Sequence, residues 1–203
     1  MGAFEDVFAQ SGGGDRFSLA EHYGCVLLVV PVGYKTDVKS NYPNPDKGGR
    51  MVNDVSVVDV CVLLAPPASD VEVDKWFTDQ WFGSKHARGR TARECNAAQG
   101  GRDARPMLFQ VDRQQIKGEK EIRYTYGLID VECDSPELQR YVTNLRDKTV
   151  AQIEDEAAGI VTSLQAKALS VYEAYKARQV ADQNDRAAEM FGGRPAPADD
   201  PWS

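Results

Sequence analysis

The sequence predicts a mainly β domain with an α-helical extension. Two runs near the start of the chain are too rich in valine to favour helix, and a later run alternates apolar and polar residues as a half-exposed strand does. From about residue 136 onward, apolar residues recur every three or four positions, as on an amphipathic helix. Turn residues separate the strand-like runs and no long helix intervenes, which favours a small antiparallel barrel or sandwich.

Four or five strands are predicted between residues 22 and 133. The first two are CVLLVVPV over 25–32 and MVNDVSVVDVCVLL over 51–64, and the next two are MLFQVDRQQI over 107–116 and EIRYTYGLIDVEC over 121–133. The Asn, Pro and Gly residues between the first two mark a hairpin with a long tip. The second strand should be partly polar at its start and buried on both faces toward its end.

The helical extension begins at Ser135-Pro136-Glu137, where serine would supply the capping oxygen and proline would occupy the first helical position. A break is predicted near Lys148-Thr149, so that the extension is two helices or one broken helix. Its apolar stripe consists of Leu138, Val142, Leu145, Ile153, Ala157, Ile160, Leu164, Ala168, Val171 and Tyr175.

The chain is predicted to have four parts. Residues 1–18 form a flexible N-terminal segment that contains three successive glycines, and residues 19–134 form the β domain. Residues 135–191 form the helical extension. Residues 192–203, GGRPAPADDPWS, lack apolar periodicity and are expected to be a disordered acidic tail.

The composition excludes several classes of protein. There is no run of about 18 apolar residues that could span a bilayer, and MGAFEDVFAQ lacks the features of a secretory signal, so a cytoplasmic protein is expected. Cys25, Cys61, Cys95 and Cys133 are too far apart for a usual zinc or redox motif and are expected to be small buried residues. We expect no metal, no cofactor and no catalysis.

The net charge of −7 conceals two basic stretches, 35–50 with four bases against two acids and 84–105 with six against two. Both are predicted to be loops, and aromatic residues accompany them. The candidate DNA-binding residues are Tyr34, Lys35, Lys39, Tyr42, Lys47, Arg50, Trp76, Trp81, Lys85, Arg88, Arg90, Arg93, Arg102 and Arg105. Basic side chains neutralise phosphates and aromatic rings stack on bases, a combination typical of single-strand binding. A short core-facing helix at WFTDQWF and solvated arginines remain the alternative interpretation.

The last residues resemble the C-terminal tip of bacterial single-stranded DNA-binding proteins, in which acidic residues precede a proline and an aromatic residue. The resemblance implies that Asp199 and Asp200 are the acids, Pro201 the proline and Trp202 the ring that fills a pocket on replication and repair proteins. This tip differs in having only two acids and in ending with Ser203 after the aromatic residue.

The stretch LLVVPVGYKTDVKSNY, followed by NDVSVVDVCVLL, looks like the first hairpin of OB-fold single-strand binders encoded by actinobacterial phages. The resemblance implies an OB-fold-like barrel that grips single-stranded DNA without sequence preference in replication or recombination. Basic and stacking residues of the bacterial family would correspond in type to Lys35, Lys39, Trp76, Trp81, Arg88 and Arg90. The helices of the extension would then pack on the barrel or pair with a second copy.

Two other functions stay open at this stage. The chain could be a virion or scaffolding protein that assembles through its C-terminal helices, with its basic stretches as solvated surface. A metal-dependent nuclease is the best enzyme candidate, because Asp37-Val38-Lys39 is an acid-x-lysine triplet. Asp15 or Glu21 would then have to complete a Mg²⁺ site.

Overall fold

The structure, a computed structural model, describes residues 15–67, 69–83, 89–116 and 123–192. The chain divides into two compact units, Met1–Ala168 and Leu169–Ser203. The elements are β1 (Val26–Asn44), β2 (Arg50–Leu64), β3 (Trp76–Gly83), α1 (Gly89–Gln99), β4 (Met107–Ile116), β5 (Arg123–Asp130), α2 (Pro136–Gln139) and α3 (Val150–Gly192). The predicted class, mainly β with a helical extension, is confirmed.

The five strands form one antiparallel sheet in the order β3-β2-β1-β4-β5. Three consecutive strands pair as neighbours, and β4 returns through α1 to lie on the other side of β1. This arrangement is a Greek key. β1 is therefore the central strand, with the β2–β3 pair on one side and the β4–β5 hairpin on the other.

The middle of the β1–β2 pair is buried on both faces, as its continuous valine content requires. We call the face that carries Val58, Val60 and Val62 the inner face and the opposite face the outer face. The inner cluster includes Leu27, Val29, Val58, Val60, Val62, Phe77, Phe82, Cys95, Met107, Phe109, Val111 and Leu128. The predicted change along β2, from a partly polar start to a fully buried end, is confirmed.

The helical extension covers part of the outer face. Ser135 Oγ donates to Oε1 of the buried Gln110 on β4 at 3.0 Å, and Lys167 Nζ donates to the Leu63 carbonyl on β2 at 2.9 Å. Within the predicted apolar stripe, Leu138, Val142, Ala157 and Leu164 are buried, whereas Leu145 is exposed. The stripe thus packs on the β domain through its first half.

The extension begins differently from the prediction. Ser135 stands at the N-cap of α2, but its hydroxyl bonds to Gln110 and makes no capping hydrogen bond. The helix ends after four residues, and a 3-10 turn over Leu145–Asp147 precedes α3. The predicted break near Lys148-Thr149 is confirmed, because α3 starts at Val150.

Two predicted loops are regular structure. The hairpin tip over 35–50 is mostly strand, because β1 continues to Asn44 and only Pro45–Lys47 forms a 3-10 turn. The basic stretch over 84–105 contains α1, which the sequence interpretation missed. The alternative of a short helix at WFTDQWF is also wrong, since these residues form β3 with Phe77 and Phe82 facing the core.

The core begins earlier than the predicted domain boundary at residue 19. Phe17 is 3% exposed and packs against Phe77 and Phe82, with ring centroids 5.2 and 6.1 Å away. Residues 1–14 and the tail 193–203 lie outside the described residues. Cys25, Cys61 and Cys95 are buried as predicted, but Cys133 is exposed.

Candidate nucleic-acid interface

Lys35 and Trp81 meet on the outer face of the sheet. In the strand register, Lys35 pairs with Val55 and Trp81 pairs with Val57, so both side chains lie on the same face of β2. The Lys35 ammonium is 4.1 Å from the centroid of the Trp81 ring. Lys35 is exposed and Trp81 is half-buried, so a cation and an aromatic surface occur together beside solvent.

Two aspartates shape the backbone that carries Trp81. The ladder between β2 and β3 shifts between Val58 and Val60, and Asp79 adopts a left-handed conformation with φ of 54° at this irregularity. The buried Asp59 carboxylate accepts the Asp79 N–H at 2.8 Å, and the Asp79 carboxylate accepts the Trp81 indole N–H at 3.4 Å. The orientation of the indole therefore depends on Asp59 through Asp79.

Lys47 and Arg50 at the hairpin tip are paired with acids. Lys47 Nζ is 2.9 Å from Asp54 and 3.5 Å from Asp37, and Arg50 is 3.4 Å from Asp37. Hydrogen bonding to Asp54 raises the pKa of Lys47. These contacts partly neutralise two bases that the sequence assigned to DNA.

The remaining tip residues differ in availability. Lys39 is exposed opposite Val52, whereas Tyr34 is half-buried and packs against the inner cluster. Burial raises the pKa of the Tyr34 hydroxyl. Tyr34 thus contributes to packing, and its role as a stacking residue stays a prediction. The side chain of Tyr42 lies outside the described residues.

Helix α1 brings part of the second basic stretch close to the hairpin. Gln99, its last residue, accepts the Tyr34 backbone N–H at 2.7 Å, and the Cys95 thiol lies 3.5 Å from the Val57 carbonyl. The end of α1 is therefore next to the residue that precedes Lys35. The two basic stretches, 35–50 and 84–105, are separate in the sequence, but packing of α1 places part of the second next to the start of the first.

Most of the arginines of that stretch are exposed, and some contact acids. Arg90 is 3.4 Å from Asp130, and Arg93 is 3.8 Å from Glu94. The side chains of Arg102 and Arg105 are exposed after α1, and the Arg105 backbone N–H donates to Glu94. Lys85 and Arg88 lie outside the described residues.

Trp76 is separated from Trp81 along β3. It pairs with Cys61 near the end of β2, is half-buried, and faces the same outer side of the sheet. Its partner Cys61 lies beside Leu63, whose carbonyl binds Lys167 of α3. Trp76 therefore stands at the end of the sheet where the helical extension packs, away from the hairpin tip.

Sequence reasoning missed a second group of basic and aromatic residues around Arg113. The guanidinium carbon of Arg113 is 4.4 Å from the Tyr23 ring centroid and 4.6 Å from that of Tyr124, and Arg140 is 5.4 Å from Tyr23. Tyr23 and Tyr126 also make an edge-to-face contact at 6.2 Å. The alternation in β5 pointed to Tyr124 and Tyr126, but Tyr23 and Arg140 come from distant parts of the chain.

The residues of the nuclease alternative do not come together as a metal site. Asp37 is paired with Lys47 and Arg50, and Asp15 is 2.8 Å from Lys75. Asp15 and Glu21 line a separate cleft of about 640 Å³ beside Phe77. Among the described residues there is no group of three or more His, Cys, Asp or Glu side chains placed to hold a metal ion.

Comparison of the chain with protein-family models, with curated proteins and with solved structures finds no match. Within the described part of the chain, no helix has both the length and the apolar content needed to cross a membrane. The predicted partner-binding residues Asp199, Asp200, Pro201 and Trp202 lie outside the described residues.

Proposed function

We propose that this chain binds single-stranded DNA without sequence preference, in phage-type replication or recombination. The contact between Lys35 and Trp81 carries this proposal. An aromatic ring next to solvent offers a surface on which any base can stack, and the adjacent ammonium offers a charge for a backbone phosphate.

The topology supports an OB-fold-like barrel. OB folds are five-stranded, partly open Greek-key barrels that bind oligonucleotides along strands 2 and 3 and on the loops between strands 1 and 2 and strands 4 and 5. This sheet has five strands in Greek-key order. Trp81 lies on the β2–β3 pair and Lys35 leads into the β1–β2 tip, which is where such a fold binds its ligand.

The charge distribution is compatible with this function. Nucleic-acid affinity depends on the local potential of the binding surface more than on the net charge of −7. Lys35, Lys39 and Arg50 are exposed around the hairpin, and Arg102 and Arg105 are exposed after α1. Residues 199–202 would recruit replication or recombination proteins, in keeping with the sequence resemblance.

The proposal is tested by fluorescence anisotropy with a labelled dT oligonucleotide and a matching duplex, at about 50 and 300 mM salt. Wild type is expected to bind the single strand tightly, to bind the duplex weakly, and to lose affinity as salt rises. Trp81→Ala should weaken binding at least about fivefold, because stacking contributes roughly 1–3 kcal/mol per base, whereas Trp81→Phe should retain part of the affinity.

A matched control exists on α3. Lys176 also lies over an aromatic ring, 4.9 Å from the Tyr172 centroid, but it belongs to the second unit of the chain. Lys176→Ala should leave the dissociation constant unchanged, whereas Lys35→Ala should raise it. Absence of wild-type binding to either nucleic acid at low salt would refute the proposal.

The alternative of a virion or scaffolding protein has one specific observation in its favour. Leu169 and Val180 on α3 are 63% and 56% exposed, and apolar side chains on a helix surface are typical of a packing interface. This function predicts salt-insensitive self-association of the full chain, measured by light scattering, together with no affinity for DNA.

A further inference from the structure

Arg113 lies between two tyrosine rings from different parts of the chain. It projects from β4, while Tyr23 precedes β1 and Tyr124 belongs to β5. Both tyrosine rings are within cation–π distance of its guanidinium, at 4.4 and 4.6 Å. Among the described residues, Arg113 has no carboxylate partner, so its charge is not neutralised by an ion pair there.

A second guanidinium approaches the same place from the helical extension. Arg140, at the C-cap of α2, lies 5.4 Å from the Tyr23 ring. Tyr141 next to it donates its hydroxyl to the Gly24 carbonyl at 2.8 Å, which holds this part of the extension against the residue after Tyr23. Packing of the extension thus brings two like charges to one aromatic ring.

This arrangement suits an anion. A guanidinium that stacks on a ring keeps its N–H edges available, and its planar fork matches the oxygens of a phosphate. Tyr124 is 42% exposed, so its ring also offers a surface for a base. A single-stranded nucleic acid supplies both a phosphate and a base at neighbouring positions, whereas an acidic peptide supplies only the anion.

The cluster lies before the start of β1 and on the inner-face side of the sheet, because Arg113 follows Val111 of the inner cluster by two residues on β4. Lys35 is midway along β1, and its contact with Trp81 is on the outer face. Arg113 pairs with Tyr126 and Gln115 pairs with Tyr124, beyond the point where Gly24 bonds to Val111. The twelve residue steps from Tyr23 to Lys35 extend over at most about 40 Å at ~3.3 Å per residue. Because the two clusters are on opposite faces of the sheet, a DNA strand must pass around the sheet to contact both. The shortest oligonucleotides should therefore bind at the Lys35–Trp81 contact alone, and longer ones should reach both clusters.

We propose that Tyr23, Arg113, Tyr124 and Arg140 form a second contact for the DNA strand, in which the two guanidinium groups bind a backbone phosphate and the Tyr124 ring stacks on a base. This inference rests on the proposed function, since it adds a second contact for the same nucleic-acid strand. It also gives the helical extension a role in binding, through Arg140.

The test measures the affinity of the full chain and its variants for dT oligonucleotides of increasing length, from about 6 to 30 nucleotides. Arg113→Ala should leave the affinity for the shortest oligonucleotides unchanged and weaken binding of the longest about tenfold. For the longest oligonucleotide, the magnitude of the slope of log association constant against log salt concentration should decrease by about 0.7, which is the contribution of one phosphate on a single strand. Tyr124→Ala should weaken binding of the longest oligonucleotide without changing this slope.

Two further variants separate binding from packing. Arg113→Lys keeps the charge but loses the planar fork, so it should retain the salt slope and lose part of the affinity. Arg178→Ala on α3 removes an exposed arginine elsewhere and should change neither quantity. Thermal unfolding of each variant shows whether it folds. If Arg113→Ala does not fold, the affinity of Tyr124→Ala for the longest oligonucleotides still tests the second contact.

The outcomes distinguish this inference from the proposed function. If wild type binds all lengths tightly and the Arg113 and Tyr124 variants match it at every length, the second contact is refuted and the proposed function stands. If wild type binds no oligonucleotide, both are refuted. A third outcome is that wild type binds a labelled oligo-aspartate peptide and the Arg113 variant does not, while both bind the longest oligonucleotide equally. This result would assign the cluster to an acidic protein partner and overturn the inference.

Discussion

Asp37 accepts a hydrogen bond from Arg50 Nη2 at 3.4 Å, and the same carboxylate is 3.5 Å from Lys47. The β1–β2 tip therefore contains an acid that offsets two of the bases assigned to DNA. Asp37 is also in a left-handed conformation, with φ of 53°, and its N–H donates to Asp54 at 3.1 Å. The carboxylate is thus held at the tip by the backbone as well as by the ion pairs.

Asp37→Asn should strengthen binding of single-stranded DNA. Asparagine tolerates the left-handed conformation, so the fold of the tip is retained while one negative charge is removed. Exposed charge pairs contribute about 0.2–1 kcal/mol, so the dissociation constant should fall by up to about fivefold, with a steeper salt dependence. Asp182→Asn, on the exposed surface of α3, is the control for net charge. Equal affinities of Asp37→Asn and wild type in anisotropy titrations would contradict the prediction.

Deletion of residues 199–203 tests the predicted partner-binding tip. The tip carries two acids, which repel phosphate and compete for basic surfaces, so its removal should leave DNA affinity equal or slightly higher. Binding to replication or recombination proteins should be lost. The measurement compares anisotropy on a dT oligonucleotide with pull-down by full-length and truncated chains. A large loss of DNA affinity on truncation would show that the tip does not act in this way.

The strands that the sequence predicted have strong local signals, and those that it missed do not. Alternation in β5 and the valine-rich runs of β1 and β2 specify burial directly. β3 contains WFTDQWF, in which the irregularity at Asp79 interrupts the alternation of Phe77 and Phe82. Helix α1 was missed because only Thr91 and Cys95 are buried on it, a pattern too sparse to distinguish from a polar loop.

The candidate site was predicted in residue type but not in arrangement. Lys35 and Trp81 are distant in sequence and meet only because β1 and β3 flank β2 in a particular register. That register depends on shifts after Pro31 and Val58, which no local pattern indicated. Pairing of Lys47 with Asp54 likewise follows from the hairpin geometry, which no local pattern in the sequence indicates.

One of the four cysteines should react with a thiol reagent in the native protein. Burial raises the pKa of Cys25 and Cys95 to about 11 and that of Cys61 to about 12, so at pH 8 their reactive thiolates are scarce as well as inaccessible. Cys133 is exposed. Titration with Ellman's reagent should give one thiol per native chain and four in guanidinium chloride. Cys133→Ser should abolish the native reaction, and a remaining fast-reacting thiol would contradict the burial of the other three.

His22 should make stability depend on pH below about 7. The residue is 6% exposed, and its ring centroid is 4.3 Å from that of Phe17 in a tilted arrangement. Its Nδ1 is 2.7 Å from the Ser18 carbonyl oxygen. Burial lowers its pKa, with the Ser18 hydrogen bond and Glu21 opposing the shift and Lys75 adding to it. The unfolded chain therefore binds more protons just below pH 6.5 than the folded chain does.

The contribution of His22 is fully present above the unfolded pKa of about 6.5 and is lost as pH falls toward the lower folded pKa. Urea unfolding between about pH 5.5 and 7.5 should show the free energy of unfolding falling at the acidic end. His22→Gln should flatten this dependence, and His86→Gln serves as the matched histidine control. A wild-type curve that is flat over this interval would contradict the buried neutral state of His22.

Leu164 and Leu169 on α3 provide a matched test of how the helical extension packs. Leu164 is 5% exposed within the first unit, whereas Leu169, five residues later, is 63% exposed in the second. Leu164→Ala should lower the free energy of unfolding by about 2–3 kcal/mol, because it removes buried apolar groups and leaves a cavity. Leu169→Ala should change the free energy of unfolding by less than about 0.5 kcal/mol.

Urea denaturation at several protein concentrations checks both values. If Leu169→Ala were as destabilising as Leu164→Ala and its effect grew with concentration, α3 would be buried between copies of the chain, which would favour assembly through the helices.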